Sequence, residues 1–236
     1  MPDQLVNAKD GTVLVLVPES AFIMGSELFD ESPQHEHYLS NYYISLYPIS
    51  NHQFERFVLA TGYNESDEWR EFAGPGKEHH PVVKVNWYDA RTYCEWAGLR
   101  LPTEPEWEKG CRGEGSREYP WGDEWDPGFC RNSVEDDEEQ GTSSVESFEQ
   151  GASSFGLIQM SGNIWEWCSN CYQEDLYKSF ARGDYSVPME GEQGVLRGGG
   201  WEDVDEFFYR CSTRLANART LRHRQAGFRP ARDFTV

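Results

Sequence analysis

Residues 162–167 read Gly162-Asn163-Ile164-Trp165-Glu166-Trp167, in the half of the chain where regular periodicity is weakest. From about residue 113 onward the sequence is rich in glycine, tryptophan, aspartate and asparagine, without the periods typical of long helices or strands. Long irregular segments are uncommon in compact domains and are usually functional where they occur. We therefore expect loops held in place by buried tryptophans, and we consider bound cations as a further support.

Three helices are predicted in the first half of the chain from their terminal residues. Ser50 is a good N-cap and Gly62 a good stop, with apolar residues on one face between them. A second amphipathic stretch ends at Gly98. Thr103 and Glu106 have the spacing of a capping box, which predicts a short third helix. Strands are predicted at residues 13–17, 21–25 and 42–46.

The composition excludes several classes of protein. The 236 residues include 41 Asp and Glu against 21 Lys and Arg, so the formal net charge is −20. Such a charge repels nucleic-acid phosphates and anionic lipid over a Debye length of about 8 Å, so we expect neither as a partner. An aromatic content of 14% is far too high for a disordered chain. Six cysteines are too few for a disulfide-dense miniprotein, and the Cys168/Cys171 pair lacks the partners of a zinc framework.

The N-terminus gives an expectation about the compartment. Residues 1–5 lack the basic region of a signal peptide, and no stretch is long and apolar enough for membrane insertion. We therefore expect a soluble protein, cytoplasmic by default or carried on a virion or cell surface by another component. The oligomeric state cannot be read from the sequence.

A series of short phrases occurs in order along the chain and resembles the formylglycine-generating-enzyme (sulfatase-modifying factor) family from about residue 12 to residue 232. The phrases are Phe22-Ile23-Met24-Gly25, Tyr47-Pro48-Ile49-Ser50-Asn51, His80-Pro81-Val82-Val83, Leu101-Pro102-Thr103-Glu104, Tyr119-Pro120-Trp121-Gly122, the 162–167 stretch, Arg197-Gly198-Gly199-Gly200-Trp201 and Gly227-Phe228-Arg229. The resemblance implies one α+β domain over residues 1–236 with a C-type-lectin-like fold. Such a fold has a small twisted antiparallel sheet, two or three helices and extensive irregular loops.

The residues that carry the family's chemistry are missing. Members that oxidise a sulfatase cysteine to formylglycine use two cysteines shortly after the Gly-Gly-Ser phrase, where they hold copper. Here Gly200 stands where the serine is expected, and residues 202–209 contain no cysteine. A soft thiolate pair suited to copper(I) is therefore absent at this place, and we expect no copper and no catalysis.

Residues 202–226 form a candidate ligand-binding segment. They contain no lysine, glycine, proline or tryptophan, and aromatic residues alternate there with arginines. Aromatic and arginine side chains are enriched at the centres of protein interfaces. By the resemblance, Arg210, Arg214, Arg222 and Arg229 hold the fold. The candidate ligand-binding residues are Trp201, Asp203, Asp205, Phe207, Phe208, Tyr209, Leu215, Asn217, Arg219, Leu221 and His223. The alternative is that Phe207, Phe208 and Leu221 fill the core, since neighbours on a strand face opposite sides.

This segment is similar to the variable proteins of diversity-generating retroelements, which are lectin-fold members of the same family. Their C-terminal residues are rewritten at template adenines, mostly in Asn codons, and only Glu206 and Gln225 break that codon rule between Asp203 and Ala226. The resemblance implies a non-catalytic protein that binds a ligand, expected to be a protein, through residues 202–226. The alternative is an enzyme or accessory protein of the family with an unrecognised active site.

The resemblance also implies structural calcium. At the first place Gln159, Gly162 and Ile164 would offer oxygens and Glu166 a carboxylate, a mixed oxygen set of the kind that calcium takes. At the second place the candidates are Asn132 and Asp137, in an acidic run that a solvated loop explains as well.

Overall fold

A computed structural model describes residues 3–134 and 141–235. Within these ranges ten strands form two four-stranded sheets and one hairpin, with four α-helices beside them. The strands are β1 (Gln4–Val6), β2 (Val13–Val17), β3 (Ser20–Met24), β4 (His35–Leu39), β5 (Tyr42–Ser45), β6 (Trp165–Cys171), β7 (Gln193–Arg197), β8 (Arg214–Ala218), β9 (Ala226–Gly227) and β10 (Ala231–Asp233). The helices are α1 (Asn51–Thr61), α2 (Trp87–Ala97), α3 (Glu104–Arg112) and α4 (Leu176–Ala181).

The strand order brings both ends of the described chain together. The first sheet runs β1-β2-β5-β10, entirely antiparallel, so the last strand pairs with β5 near the beginning. The second sheet runs β8-β7-β6-β9, and the short β9 pairs with β6 in parallel. The predicted α+β, lectin-like architecture is confirmed. The sheets differ from one small antiparallel sheet because residues 163–171 and 226–229 are drawn together by long-range pairing, which local sequence does not encode.

The helix ends follow the predicted caps. The Ser50 and Thr103 hydroxyls each accept a hydrogen bond from the backbone N–H three residues later, and both helices have a complete capping box. Gly62 and Gly98 end α1 and α2 in the left-handed conformation. The helix α4 was not predicted. It has six residues, too few for a periodic signal, and it is stabilised by packing its apolar side chains against β3.

Buried ion pairs join the C-terminal third of the chain to the acidic framework. Arg197 Nη2 lies 2.6 Å from Glu108 Oε2, and Arg214 Nε lies 2.7 Å from Glu104 Oε1, with all four side chains fully buried. Burial alone would raise the pKa of Glu108, but the guanidinium groups of Arg112 and Arg197 outweigh it and hold that pKa below its usual value. A small part of the acid that the composition reports is therefore internal and paired with arginine.

The residues predicted to hold the fold do so. Each of the four named arginines forms an ion pair with a carboxylate distant in sequence. The pairs are Arg210 with Glu31, Arg214 with Glu104, Arg222 with Asp89 and Arg229 with Glu166. Removal of one partner would leave a buried charge unpaired, which is strongly destabilising. These ion pairs therefore hold the candidate segment against the framework at both its ends.

Candidate functional site

The turn that follows β7 comprises residues 198–209 and is closed by hydrogen bonds between its own residues. The Tyr209 hydroxyl lies 2.9 Å from the Gly200 carbonyl oxygen and 2.6 Å from that of Asp203. Asp203 Oδ2 accepts hydrogen bonds from the Gly200 N–H at 2.7 Å and from Trp165 Nε1 at 2.9 Å. Gly199 has a φ of 77°, and a Cβ there would approach the Tyr209 ring to 2.8 Å, so only glycine fits. Hydrogen bonds within the protein therefore define the shape of the turn.

Three predicted ligand-binding residues belong to the support of this turn. Tyr209 is fully buried and stacks on Trp125, and Trp201 is almost fully buried. Burial raises the pKa of Asp203, although its hydrogen bonds oppose that shift. Since a ligand cannot contact interior side chains directly, we assign Trp201 and Tyr209 to holding the turn, and Asp203 to bridging it to Trp165.

An aromatic cluster lies beside the turn. Phe207 and Phe208 lie in the short 3-10 helix at 206–209, and their rings pack edge to face at 5.8 Å. Phe208 turns inward, with its ring 6.2 Å from that of Trp165, whereas Phe207 meets Phe29 at 5.5 Å. The Phe29 side chain is 74% exposed. Sequence reasoning missed Phe29, because nothing local in a residue 178 positions away signals this contact.

The remaining candidates differ in how far they are buried. Leu215 and Leu221, like Phe208, are partly buried against the main hydrophobic core, as the core-filling alternative predicts. Asn217 lies on β8 opposite Gly194. Asp205 and His223 are exposed. Arg219 is buried against the face of Trp87, 4.0 Å from the ring centre, and lines a separate cavity.

A groove of about 330 Å³ adjoins the turn at Trp201. Its cationic lining comes from Arg224 and from Lys77, and Phe72 and Thr142 contribute further walls. The Arg224 guanidinium lies 5.4 Å from the Trp201 ring centre and pairs with Glu202. Lys77 and Phe72 were not predicted, because only the tertiary structure brings them to the C-terminal segment.

The predicted calcium ligands at the 162–167 stretch already have partners in the protein. Glu166 Oε2 lies 2.6 Å from Arg229 Nε and 2.7 Å from Trp107 Nε1, and Oε1 lies 2.8 Å from Arg229 Nη2. Gln159 Oε1 accepts from the side-chain amide of Asn163 at 2.6 Å. The Gly162 carbonyl accepts from the N–H of Ile164, which supplies a carbonyl of its own to the predicted set. With a guanidinium against the carboxylate, this oxygen set fits calcium poorly, and calcium here stays a prediction of the sequence.

The second predicted calcium site also fits poorly. Asn132 donates its amide hydrogens to the carbonyls of Pro127 and Cys130 at 2.8 and 2.9 Å, and its Oδ1 accepts from the N–H of Val134 at 3.0 Å. These bonds shape a loop. Asp137 lies outside the described residues. Across residues 3–134 and 141–235, no group of three or more His, Cys, Asp or Glu side chains is arranged to hold a metal ion.

All six cysteines lie in the interior as free thiols. Burial raises the pKa of the Cys130 thiol to about 12, and it raises the pKa values of Cys94, Cys111, Cys168 and Cys171 as well. Reactive cysteines need an accessible thiolate, so these thiols are built as core residues. The nearest pair, Cys111 and Cys211, has its sulfur atoms 2.9 Å apart beneath the sheet and is not part of residues 202–209.

The fold and the turn define a lectin-like α+β protein built on the sulfatase-modifying-factor plan. The family described as sulfatase-modifying factor enzyme 1-like domain matches residues 3–234, and the chain belongs to this family. It is 31% identical to the formylglycine-generating enzyme of Thermomonospora curvata, with 93% of each chain covered. It is also 33% identical to serine/threonine-protein kinase pkn1 of Chlamydia caviae over 94% of its own length, but it spans only 38% of that kinase.

Solved structures show the same architecture over nearly the whole chain. The structure of PvdO from Pseudomonas aeruginosa matches with a TM-score of 0.81 and 26% identity, covering 99% of both chains. Treponema denticola variable protein 1 matches with a TM-score of 0.79 and 19% identity, covering 98% of this chain and 99% of the other. At that identity the second likeness establishes the fold alone. No helix in the described part of the chain combines the length and apolarity needed to cross a bilayer.

Proposed function

We propose that this protein is a non-catalytic member of the family that binds a ligand, expected to be a protein, through the exposed part of residues 202–226. The observation that supports this is the burial of the cysteine thiols. All six thiols are buried, and the turn that would carry the reactive pair presents Asp203, Asp205 and Phe207 in its place. Carboxylate and aromatic groups there suit recognition, and they supply neither a thiolate nor a soft copper ligand.

The proposed contact surface is smaller than the sequence alone suggests. It comprises the exposed Asp205 and His223 and the half-buried Phe207 with its neighbour Phe29. The guanidinium of Arg210 lies 4.0 Å from the Phe207 ring centre and holds that ring in place, while the arginine itself is anchored on Glu31. A pre-positioned aromatic surface loses little conformational entropy on binding, which is the property of an interface anchor.

We further propose that this protein belongs to the variable proteins of diversity-generating retroelements. Sequencing the neighbouring DNA tests that statement. We expect a reverse transcriptase gene and a near-copy of the segment's coding sequence whose differences fall at adenines. If the differences are scattered over all bases, or if no copy exists, this assignment is wrong while the non-catalytic proposal still stands.

Tolerance to substitution provides a second test. Random substitution of Asp205, Phe207 and His223 together should lower the melting temperature by no more than about 5 °C, since substitutions at exposed or half-buried positions usually change stability by about 0.5 kcal/mol each. The matched variant Tyr209→Ala removes a fully buried ring, at a cost of about 3–5 kcal/mol, and should lower the melting temperature by roughly 10 °C. If both sets destabilise the protein equally, residues 202–226 are framework and not a binding surface.

The alternative is an enzyme with an unrecognised site. An assay of the family's own reaction distinguishes it from the non-catalytic proposal. We incubate the protein with copper(I), oxygen and a cysteine-containing sulfatase peptide, and follow conversion of the cysteine to the aldehyde by mass spectrometry. A formylglycine-generating enzyme of the family, such as that of Thermomonospora curvata, serves as the positive control. We expect no conversion by this chain, and any turnover of the peptide refutes the non-catalytic proposal.

A further inference from the structure

A cavity of about 590 Å³ opens beside α2, and none of residues 201–209 lines it. Its walls are mostly apolar: Trp87 and Cys94 come from α2, Leu99 and Leu101 follow that helix, and Met189 stands at the side. The volume is within the range of about 300–1,000 Å³ that small-molecule sites occupy. The cavity is therefore large enough for an organic ligand and is separate from the surface described above.

Arg219 is one of the charged residues that line this cavity, and it is only 7% exposed. Its Nη2 donates to the carbonyl oxygens of Ser169 at 3.2 Å and Met189 at 3.3 Å, and its guanidinium lies over the Trp87 ring. Among the contacts of the described residues, Arg219 has no carboxylate partner. Buried arginines are normally paired with an anion, so this one is an exception in a protein of net charge −20.

Two polar atoms in the lining lack hydrogen-bond partners. They are Arg219 Nε and the Ser169 hydroxyl oxygen, both buried. Most buried polar groups in proteins are satisfied, so the unsatisfied atoms show that the Arg219 guanidinium is incompletely paired by the protein itself. An anion in the cavity would supply the counter-charge that Arg219 lacks.

The other charged groups at the cavity are already neutralised. Arg91 pairs with Glu95 at 2.6 Å, and Arg100 pairs with Asp233 and with Glu106, each at 2.7 Å. Arg219 is therefore the lining cation left to meet an incoming anion, and it is buried where the local dielectric strengthens the attraction. Because the Arg219 cation lies beside apolar walls, the cavity suits a ligand that is anionic at one end and apolar elsewhere.

We propose that this cavity binds a small carboxylic acid with an apolar body. The carboxylate pairs with the Arg219 guanidinium, and the hydrocarbon part lies against Leu99, Leu101 and Trp87. A carboxylate matches the donor geometry of a guanidinium, which favours it over a neutral acceptor. The site goes beyond the proposed function and does not depend on it.

The test uses octanoate and its neutral isostere octanamide as probes, titrated into the full chain by isothermal calorimetry at pH 7.5. We expect one octanoate per chain, and affinity for octanamide lower by about tenfold or more, since the amide oxygen still accepts a hydrogen bond but carries no charge to pair with Arg219. Equal affinity for the two probes, or no binding of octanoate at millimolar concentration, overturns the proposal.

Variants place the ligand in the cavity. Arg219→Gln should weaken octanoate by about tenfold while octanamide changes little, because the charge is removed and the walls remain. Arg182→Gln, at an exposed arginine outside the cavity, is the matched control and should leave both affinities unchanged. If Arg219→Gln and Arg182→Gln bind octanoate as the wild type does, the carboxylate is not held by Arg219 and the proposal fails.

A second pair of variants covers the case in which Arg219→Gln does not fold. Met189 lines the cavity and is 54% exposed, so substitution there is tolerated structurally. Met189→Glu brings a carboxylate of the protein to Arg219 and should weaken octanoate by about tenfold, whereas the isosteric Met189→Gln should change affinity by less than about threefold. Equal effects of Glu and Gln would overturn the proposal. Substituting Asp205, Phe207 and His223 should not affect octanoate, which separates this site from the proposed function.

Discussion

The ion pair between Arg229 and Glu166 is predicted to be a principal support of the fold. Arg229 is fully buried and Glu166 is 1% exposed, and two hydrogen bonds of 2.6 and 2.8 Å join them. Arg229 Nη2 also donates to the carbonyls of Ile158 and Gln159, each at 2.9 Å. The Arg229 side chain thus forms hydrogen bonds both to Glu166 on β6 and to the loop that precedes β6.

The magnitude follows from what Arg229→Gln leaves behind. The buried Glu166 carboxylate loses its counter-charge, at a cost of about 3–5 kcal/mol. The two short bonds to buried carbonyls add about 1 kcal/mol each. The sum, roughly 5–7 kcal/mol, is comparable to the whole free energy of unfolding of an ordinary domain, about 5–15 kcal/mol. We therefore expect the variant to be largely unfolded at 37 °C or to lose about half of its stability.

The assay is urea unfolding followed by tryptophan fluorescence, with a double-mutant cycle. Glu166→Gln removes the unpaired charge, so the double variant should be more stable than the sum of the single effects predicts, by about 2 kcal/mol or more. The matched control is Arg224→Gln, which breaks a half-exposed pair with Glu202 and should cost under about 1 kcal/mol. Additive effects in the cycle, or a cost for Arg229→Gln no larger than that of Arg224→Gln, would refute the reasoning.

Two further predictions concern pH and calcium. Burial, with a smaller contribution from nearby His35, lowers the pKa of His37 from 6.5 to about 4. The unfolded chain therefore binds the proton more tightly, and about 3 kcal/mol of stability present above pH 6.5 should be lost as the pH falls toward 4. His37→Phe should flatten this part of the profile in urea unfolding at several pH values, and parallel profiles for both proteins would contradict it. Addition of a chelator should leave the melting temperature unchanged, since Arg229 already pairs with Glu166; a fall of several degrees would support the calcium prediction instead.

Local signals proved reliable where the contacts they describe span a few residues. The caps at Ser50 and Thr103 and the stops at Gly62 and Gly98 depend on bonds within one helical turn, so spacing alone located them. The helix α4 escaped detection because it exists by packing against β3. The candidate site shows the same difference between features set by local sequence and features set by long-range contacts.

The order of phrases along the chain determined the family, and direct reading of residues 202–209 determined that no cysteine stands there. Only the tertiary structure decided which side chains of the segment reach solvent, because exposure depends on elements distant in sequence. It placed Tyr209 in the interior, Phe29 beside Phe207, and Arg219 in a cavity with no carboxylate. In the Gly162–Trp167 stretch, residue identities indicated a carboxylate among backbone oxygens, and the fold paired that carboxylate with Arg229, 63 residues later. Residue type determines what a group can bind, whereas long-range packing determines what it meets.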